Sequence, residues 1–196
     1  MYEGTNKLVW DYFASIAAHH LPTGLHSIRV GKTAQCIGDA LGLDGVIIHE
    51  MGLVHDIGKK AVPINILSLD MRPPSKEEFE IIKTHTRVGY DLLKDVLPLH
   101  ACIAGKHHPT YAVAEYPLLL SIGDRVFVDV CVPIVTLCDF YDALMTRHNT
   151  AYTSTNRRSV ASIRELLEKN FPKQKEQIDI LLGSTIGPYV RKKRIA

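Results

Sequence analysis

The sequence is poor in cysteine and pairs none of it. Cys36, Cys102, Cys131 and Cys138 are the only four in 196 residues, none stand in a CxxC spacing, and each sits among apolar neighbours. That excludes a thiolate zinc ribbon or a disulfide scaffold and suits small buried hydrophobes in a reducing compartment. Long apolar runs are missing as well. The most apolar stretch, residues 126–137, is interrupted by Asp129 and Pro133 and is too short to span a bilayer. The opening MYEGTNKLVWDYF has no basic segment leading into an apolar one, so no signal peptide is expected. Neither sign of charge dominates: the formal net charge is +2. The one dense basic run, Arg191, Lys192, Lys193 and Arg194, reads as a solvated tail rather than a DNA or membrane contact. Internal repeats, low-complexity tracts and β-hairpin signatures are also absent. A cytoplasmic globular domain is the expectation that remains.

What is present is helical periodicity, in a chain of ordinary composition (46% apolar, 22% charged) and sufficient length for one cored domain. Residues 6–20 carry Leu8, Val9, Tyr12, Phe13 and Ile16, and Pro22-Thr23-Gly24 breaks that run. A second helix is expected over 25–41 and a third from Asp44, a good N-cap, to His55-Asp56, with Gly58 as its stop. Pro63 and Pro73-Pro74 bracket a linker holding Ile64, Ile66 and Leu67. Ser75 with Glu78 three residues on forms a capping box before Phe79, Ile81 and Ile82, so a helix to about Lys94 follows. Further helices are expected at 98–108, at 124–146 with a bend near Pro133, and at 156–170 and 173–182; 109–117 is a loop. The class is all-α: a multi-helix bundle, with an N-terminal helix over 1–20, a main domain over 21–190 and the basic tail over 191–196.

Scattered along these helices is a set of histidines and aspartates: His26, His55-Asp56, His85, His107-His108 and Asp139. Imidazole and carboxylate without thiolate suit iron, manganese or zinc engaged in hydrolysis rather than a structural zinc. Taken singly, each member has a plainer reading. His55-Asp56 is equally a buried histidine at a charged helix end, His85 a satisfied core histidine beside Gly89, and His107-His108 a surface pair. Asp139 and Asp142, three apart on an apolar helix, are costly unless paired or metal-bound, and Asp142 is the better candidate for an internal salt bridge. His49-Glu50 invites a zinc-protease reading, which fails because Leu53 stands where the second histidine is needed.

In order, the set resembles the HD superfamily of metal-dependent phosphohydrolases, and within it the HD-GYP domain. The stretches that carry the resemblance are LVHDIGKKAVPINIL, SKEEFEIIKTHTRVGYDLL, the pair His107-His108 and CDFYDALMT, and together they reach over about residues 20–185. The resemblance implies an all-α bundle with divalent metals, most often iron, that hydrolyses cyclic di-GMP. By position it implies His26, His55, Asp56, His85, His107, His108 and Asp139 as metal ligands and Lys59 as a phosphate contact. Members with three metals have a carboxylate one turn before the first histidine. Pro22 stands there, so two divalent ions are expected, iron first, with manganese or zinc as alternatives. Two departures concern substrate. The family's glycine-rich loop is replaced by HHPTYAVAEYP, which keeps Tyr116-Pro117, and its later Arg-Pro-Tyr is missing, with Arg147, His148 and Tyr152 nearby.

The expected chemistry is a bridging hydroxide between two metals joined by Asp56, attacking a phosphodiester. Lys59 neutralises a phosphate oxygen, and Arg147, Arg29 and Tyr116 are candidate substrate contacts. The substrate expected is cyclic di-GMP or a related cyclic dinucleotide. The alternatives are a smaller nucleotide or phosphate ester, or a catalytically weak metal-containing module that binds a nucleotide or a protein signalling partner.

Overall fold

Nine α-helices and no strand occur among the described residues of the computed structural model, which are 6–69, 72–146 and 159–190, with side chains to position 183. α1 (Lys7–His19) starts where the Asn6 side chain accepts from Leu8 N at 2.9 Å. α2 (Leu21–Ala40) begins four residues before the expected start. Pro22 lies in its first turn, where a missing N–H leaves no bond unmade, so Pro-Thr-Gly opens the helix instead of separating it from α1. α3 (Gly45–Val54) is capped by Asp44, whose side chain accepts from Ile47 N. A 3-10 turn, Ile57–Ala61, and the short α4 (Ile64–Leu67) then carry the chain to α5 (Lys76–Leu93). The Ser75–Glu78 capping box forms reciprocally there, as the sequence predicts.

α6 (Pro98–Lys106) is followed by a single 3-10 turn, Pro109–Tyr111, within the expected loop. α7 (Ile122–Thr146) starts two residues early because Ser121 and Asp124 cap it reciprocally, and Pro133 lies in its interior. α8 (Val160–Asn170) and α9 (Lys175–Val190) complete the bundle. α9 runs past the expected end at 182. Gly183 inside it costs about 1 kcal/mol relative to alanine, too little to stop a helix. No helix among the described residues is long and apolar enough to cross a membrane. The expected basic tail lies outside the described residues, as do Arg147, His148 and Tyr152.

Two apolar cores share α3 and α6. The larger joins Val30 and Ile37 of α2, Ile48 and Met51 of α3 and Cys102 and Ile103 of α6 to Ile134 and Leu137 of α7, with Leu167 and Ile178 behind. The smaller joins Val9, Phe13 and Ile16 of α1 to Leu53, Val54, Tyr90, Leu93, Ala101 and Ala104. α3 and α6 therefore end at the seam between the cores, and the histidines that follow them emerge there.

Two glycine contacts set that seam. Gly52 of α3 crosses α2 at Gly31, where an added Cβ would lie 2.5 Å from the Gly31 Cα. Gly58 meets α5 so closely that a Cβ would overlap the His85 carbonyl oxygen and lie 2.6 Å from Gly89 N. Gly58 is thus not the stop of α3, which ends at Val54; it admits the backbone of α5 beside the His55-Asp56 corner.

Candidate metal centre

Five separate segments deliver the predicted set to one place. His26 lies on α2, His55-Asp56 follows α3, His85 is on α5, His107-His108 follows α6, and Asp139 is on α7. Apart from His108, whose side chain is 28% exposed, all are buried. Three clusters within the set have donor atoms close enough to share an ion: His85, His107 and His108; His26, His55 and Asp56; and His55, His107 and Asp139.

The imidazoles are oriented by the backbone. Nδ1 of His55 lies 2.7 Å from Gly52 O, Nδ1 of His85 lies 2.5 Å from Ile82 O, and Nδ1 of His107 lies 3.1 Å from both Ile103 O and Ala104 O. A carbonyl only accepts, so in each ring Nδ1 carries the proton and Nε2 the lone pair. Those lone pairs converge: His85 Nε2 and His107 Nε2 are 3.3 Å apart. Two acceptors do not face each other at that distance without a cation or a proton between them. The C-terminal ends of α3 and α6 also meet here, and their partial negative charge favours a cation.

Asp56 sits between two imidazole groups. Its Oδ1 is 3.4 Å from His85 Nε2 and 3.7 Å from His107 Nε2, while its Oδ2 is 3.4 Å from His55 Nε2 and 3.6 Å from His26 Nε2. Lys59 Nζ donates to the same Oδ2 at 2.5 Å. Asp139 spans the far side, with Oδ1 3.0 Å from His26 Nε2 and Oδ2 3.9 Å from His108 Nε2. His55 Nε2 and Asp56 Oδ1 have no hydrogen-bond partner, and His26 Nε2 is not aligned to make one. Orphaned, fully buried lone pairs on a converging nitrogen and oxygen set are what a divalent cation would satisfy, so the residues present fit a metal.

Titration behaviour agrees. Burial lowers His55 to about 4 and His85 to about 3; burial together with His107 lowers His108 to about 2. These rings are neutral at pH 7, as ligation requires. Asp56 is buried, which would raise it, but Lys59 and the imidazoles hold its carboxyl well below the usual range. Burial and His26 act on Asp139 in the same opposed way, and it too stays ionised. His26 is the exception. Burial disfavours its charge, yet Asp139 and Asp142 raise it to about 9.

The predicted substrate contacts are placed differently. Arg29 pairs with Asp142: its Nε donates to Asp142 Oδ1 at 2.6 Å and its Nη2 to Asp142 Oδ2 at 2.9 Å. Asp142 therefore makes the internal salt bridge expected of it. Tyr116 donates its hydroxyl to Asp129, and its ring lies under Lys106 Nζ at 4.2 Å and the Arg125 guanidinium at 5.4 Å, with none of the His/Asp set among these partners. Arg147 lies outside the described residues. One aromatic went unpredicted: the Tyr111 ring stacks on His108 at 4.9 Å and 33°, its carbonyl accepting from Thr86 Oγ1 at 3.2 Å. A tyrosine inside a loop of this composition carries no periodic signal, so only the folded 3-10 turn reveals it.

Helices that present imidazole and aspartate to a shared, oxygen-and-nitrogen cation site define the class: an all-α metal-binding domain of the histidine–aspartate type. The HD domain family model matches residues 23–143, more than half of the chain, and the protein belongs to that family. A cyclic di-GMP phosphodiesterase of Thermotoga maritima is 32% identical over 136 residues, 65% of this chain and 35% of that protein. The cyclic di-GMP phosphodiesterase response regulator RpfG of Xanthomonas campestris pv. campestris is 33% identical over 125 residues, 60% of this chain and 32% of its own length. This chain thus spans about a third of the relatives it matches. In three dimensions it resembles the HD domain of the L. monocytogenes phosphodiesterase PgpH, at a TM-score of 0.65 and 18% identity over 91% of this chain and 98% of that one. The same domain in complex with cyclic-di-AMP gives a TM-score of 0.64. At that identity the likeness establishes the fold alone.

Proposed function

We propose that this protein is a metal-dependent phosphodiesterase of cyclic dinucleotides, with cyclic di-GMP as first substrate, acting through a binuclear centre. The observation that carries the reading is the position of Asp56. Each of its oxygens faces a different pair of imidazoles, His85 and His107 on one side and His26 and His55 on the other, as a carboxylate bridging two ions requires. Pro22, one turn before His26, offers no side-chain ligand atom for a third. Iron is the metal proposed, with manganese or zinc compatible with the same all-nitrogen-and-oxygen set. Cys138, beside Asp139 in sequence, is buried and its thiol is pushed well above its ordinary range, so sulfur does not compete.

When bound, two such ions supply Lewis acidity and a water deprotonated near neutral pH. The chain's own residues do the rest. The carbonyl-anchored rings of His55, His85 and His107 hold their Nε2 atoms in fixed orientation toward the centre. Lys59 spends one of its three donors on Asp56, leaving two for a non-bridging phosphate oxygen. His108, the most exposed of the imidazoles, marks the open side from which a phosphodiester enters, and Tyr111 flanks it. The relatives named above act on cyclic di-GMP by their names, and a cyclic-di-AMP complex exists for the similar fold; both support a cyclic dinucleotide. The cytoplasm is the compartment proposed, in keeping with four free cysteines.

A second reading, hydrolysis of a smaller phosphate ester, is favoured by the segment after the histidine pair. It is pinned to the bundle by Arg87–Glu115, by Lys106 Nζ to Ala114 O at 3.0 Å and by Val113 N to Gly105 O at 2.7 Å. The deciding experiment incubates manganese- or iron-loaded protein with cyclic di-GMP and follows linear dinucleotide and GMP by chromatography. Turnover supports the first reading. A fully loaded protein that leaves cyclic di-GMP intact and hydrolyses p-nitrophenyl phosphate esters transfers the function to the second.

A further inference from the structure

We propose that Asp142, braced by Arg29, is a positioning residue that fixes His26 as a metal ligand through Nε2; this rests on the metal-centre reading above. His26 differs from the other buried imidazoles in one respect. His55, His85 and His107 each have Nδ1 on a backbone carbonyl within four residues, so their orientation comes with the helix that carries them. His26, in the second turn of α2, has no such carbonyl. Its Nδ1 is met instead from across the bundle, by Asp142 Oδ2 of α7 at 2.7 Å.

A carboxylate accepts, so the contact places the ring proton on Nδ1 and turns the Nε2 lone pair toward Asp56 and Asp139. Turning the ring over about its Cβ–Cγ bond would put carbons where these nitrogens stand and break the bond. Asp142 is itself met by two further side chains. Arg29, one turn beyond His26 on α2, donates twice to it in bidentate geometry at 2.6 and 2.9 Å, and Thr146 Oγ1 lies 3.4 Å from Oδ2. The Asp142 side chain is only 8% exposed, which makes an unpaired carboxylate there costly and the three partners obligatory. Asp142 lies one helical turn beyond Asp139 on α7, so a single face of that helix supplies both a ligand and the brace of another ligand. The arrangement is the carboxylate–histidine–metal relay in which the outer carboxylate sets tautomer and ring angle.

The test titrates Mn2+ into the metal-free 196-residue chain by calorimetry, with metal counted on the loaded protein, for wild type, His26→Ala, Asp142→Ala, Asp142→Asn and Arg29→Gln. Outer carboxylates of this kind change affinity by about 10–100-fold, so Asp142→Ala is expected to weaken one of the two binding events by that factor, close to His26→Ala. Asp142→Asn keeps an acceptor oxygen for Nδ1–H and is expected to recover most of the loss. Arg29→Gln is expected to fall between wild type and Asp142→Ala. Thermal unfolding of the metal-free variants provides the second measurement, because a merely structural role moves that midpoint and not the affinity of the folded protein. Unchanged Mn2+ affinity in a folded Asp142→Asn and Asp142→Ala pair overturns the positioning role while leaving the metal centre standing. Failure of wild type to bind Mn2+ overturns the metal centre, and the positioning role with it.

Discussion

The two flanks of the His/Asp cluster are built on different principles. On the metal flank, His55, His85 and His107 are locked by backbone carbonyls of their own helices and packed where glycines let those helices touch. On the flank proposed to face substrate, residues 109–116 are anchored once by backbone, Val113 N to Gly105 O, and otherwise largely by side chains near the surface, Arg87–Glu115, Lys106–Ala114 O and Tyr116–Asp129 among them. Backbone anchoring in a buried seam leaves a side chain no alternative partner, whereas exposed ion pairs exchange with water and salt at little cost. The metal flank is therefore rigid and intolerant of change. The substrate flank is replaceable, and it is where this chain departs from the HD-GYP pattern.

Asp56→Ala attacks the rigid flank at its centre. It should abolish metal content, read by elemental analysis, and with it turnover. In the metal-free state it leaves Lys59 buried without its carboxylate, which should destabilise the fold by about 3–5 kcal/mol in urea denaturation. A variant that retains two metals per chain would overturn the ligand assignment.

The pH dependence of the metal-free protein sharpens the same flank. His26 is raised from 6.5 to about 9, so the stability it contributes is complete below pH 6.5 and is lost as pH rises through about 9. That loss is on the order of 3 kcal/mol. His55, His85 and His108 are lowered, to about 4, 3 and 2, so their contribution is present above pH 6.5 and is lost as pH falls. Denaturation midpoints should peak near pH 6.5 and decline on both sides. A profile still rising toward pH 9 would show that His26 is not charged in the metal-free fold.

Gly58→Ala probes the seam without touching a ligand. The new methyl has to displace the α5 backbone at His85, at a cost of about 1–3 kcal/mol, and should weaken metal binding as His85 moves. Unchanged metal affinity would mean that the close approach serves packing alone.

The smallest effect is expected on the replaceable flank. Tyr116→Phe removes the hydroxyl from Asp129 and should leave metal content and kcat as they are, with at most a change in KM. A fall in kcat would return Tyr116 to the reacting centre.

Much of this was legible in the chain. The Ser75–Glu78 box, the Asp44 cap and the all-α class follow from local chemistry, and the structure forms each of them. The His/Asp set was visible as residue types whose burial would be too costly without a partner. What local reading missed was always a relation between segments. Pro22 reads as a break in sequence because its place in a first turn depends on how α1 hands over to α2. Gly58 reads as a stop in sequence because its close approach to His85 exists only once α5 is docked. The pairing of Arg29 with Asp142, 113 residues away, has no signal in sequence at all.

By itself the sequence determined the inventory: helices, their caps, and a nitrogen-and-oxygen set of candidate ligands free of thiolate. Helix propensity, capping and side-chain chemistry act within a few residues, so they can be read without a fold. Tertiary structure alone decided which lone pairs converge, that Asp56 stands between two imidazole pairs, and that Asp142 rather than a carbonyl orients His26. Those facts depend on distances of about 3 Å between groups up to 116 residues apart, and only the packing of α2, α3, α5, α6 and α7 sets them.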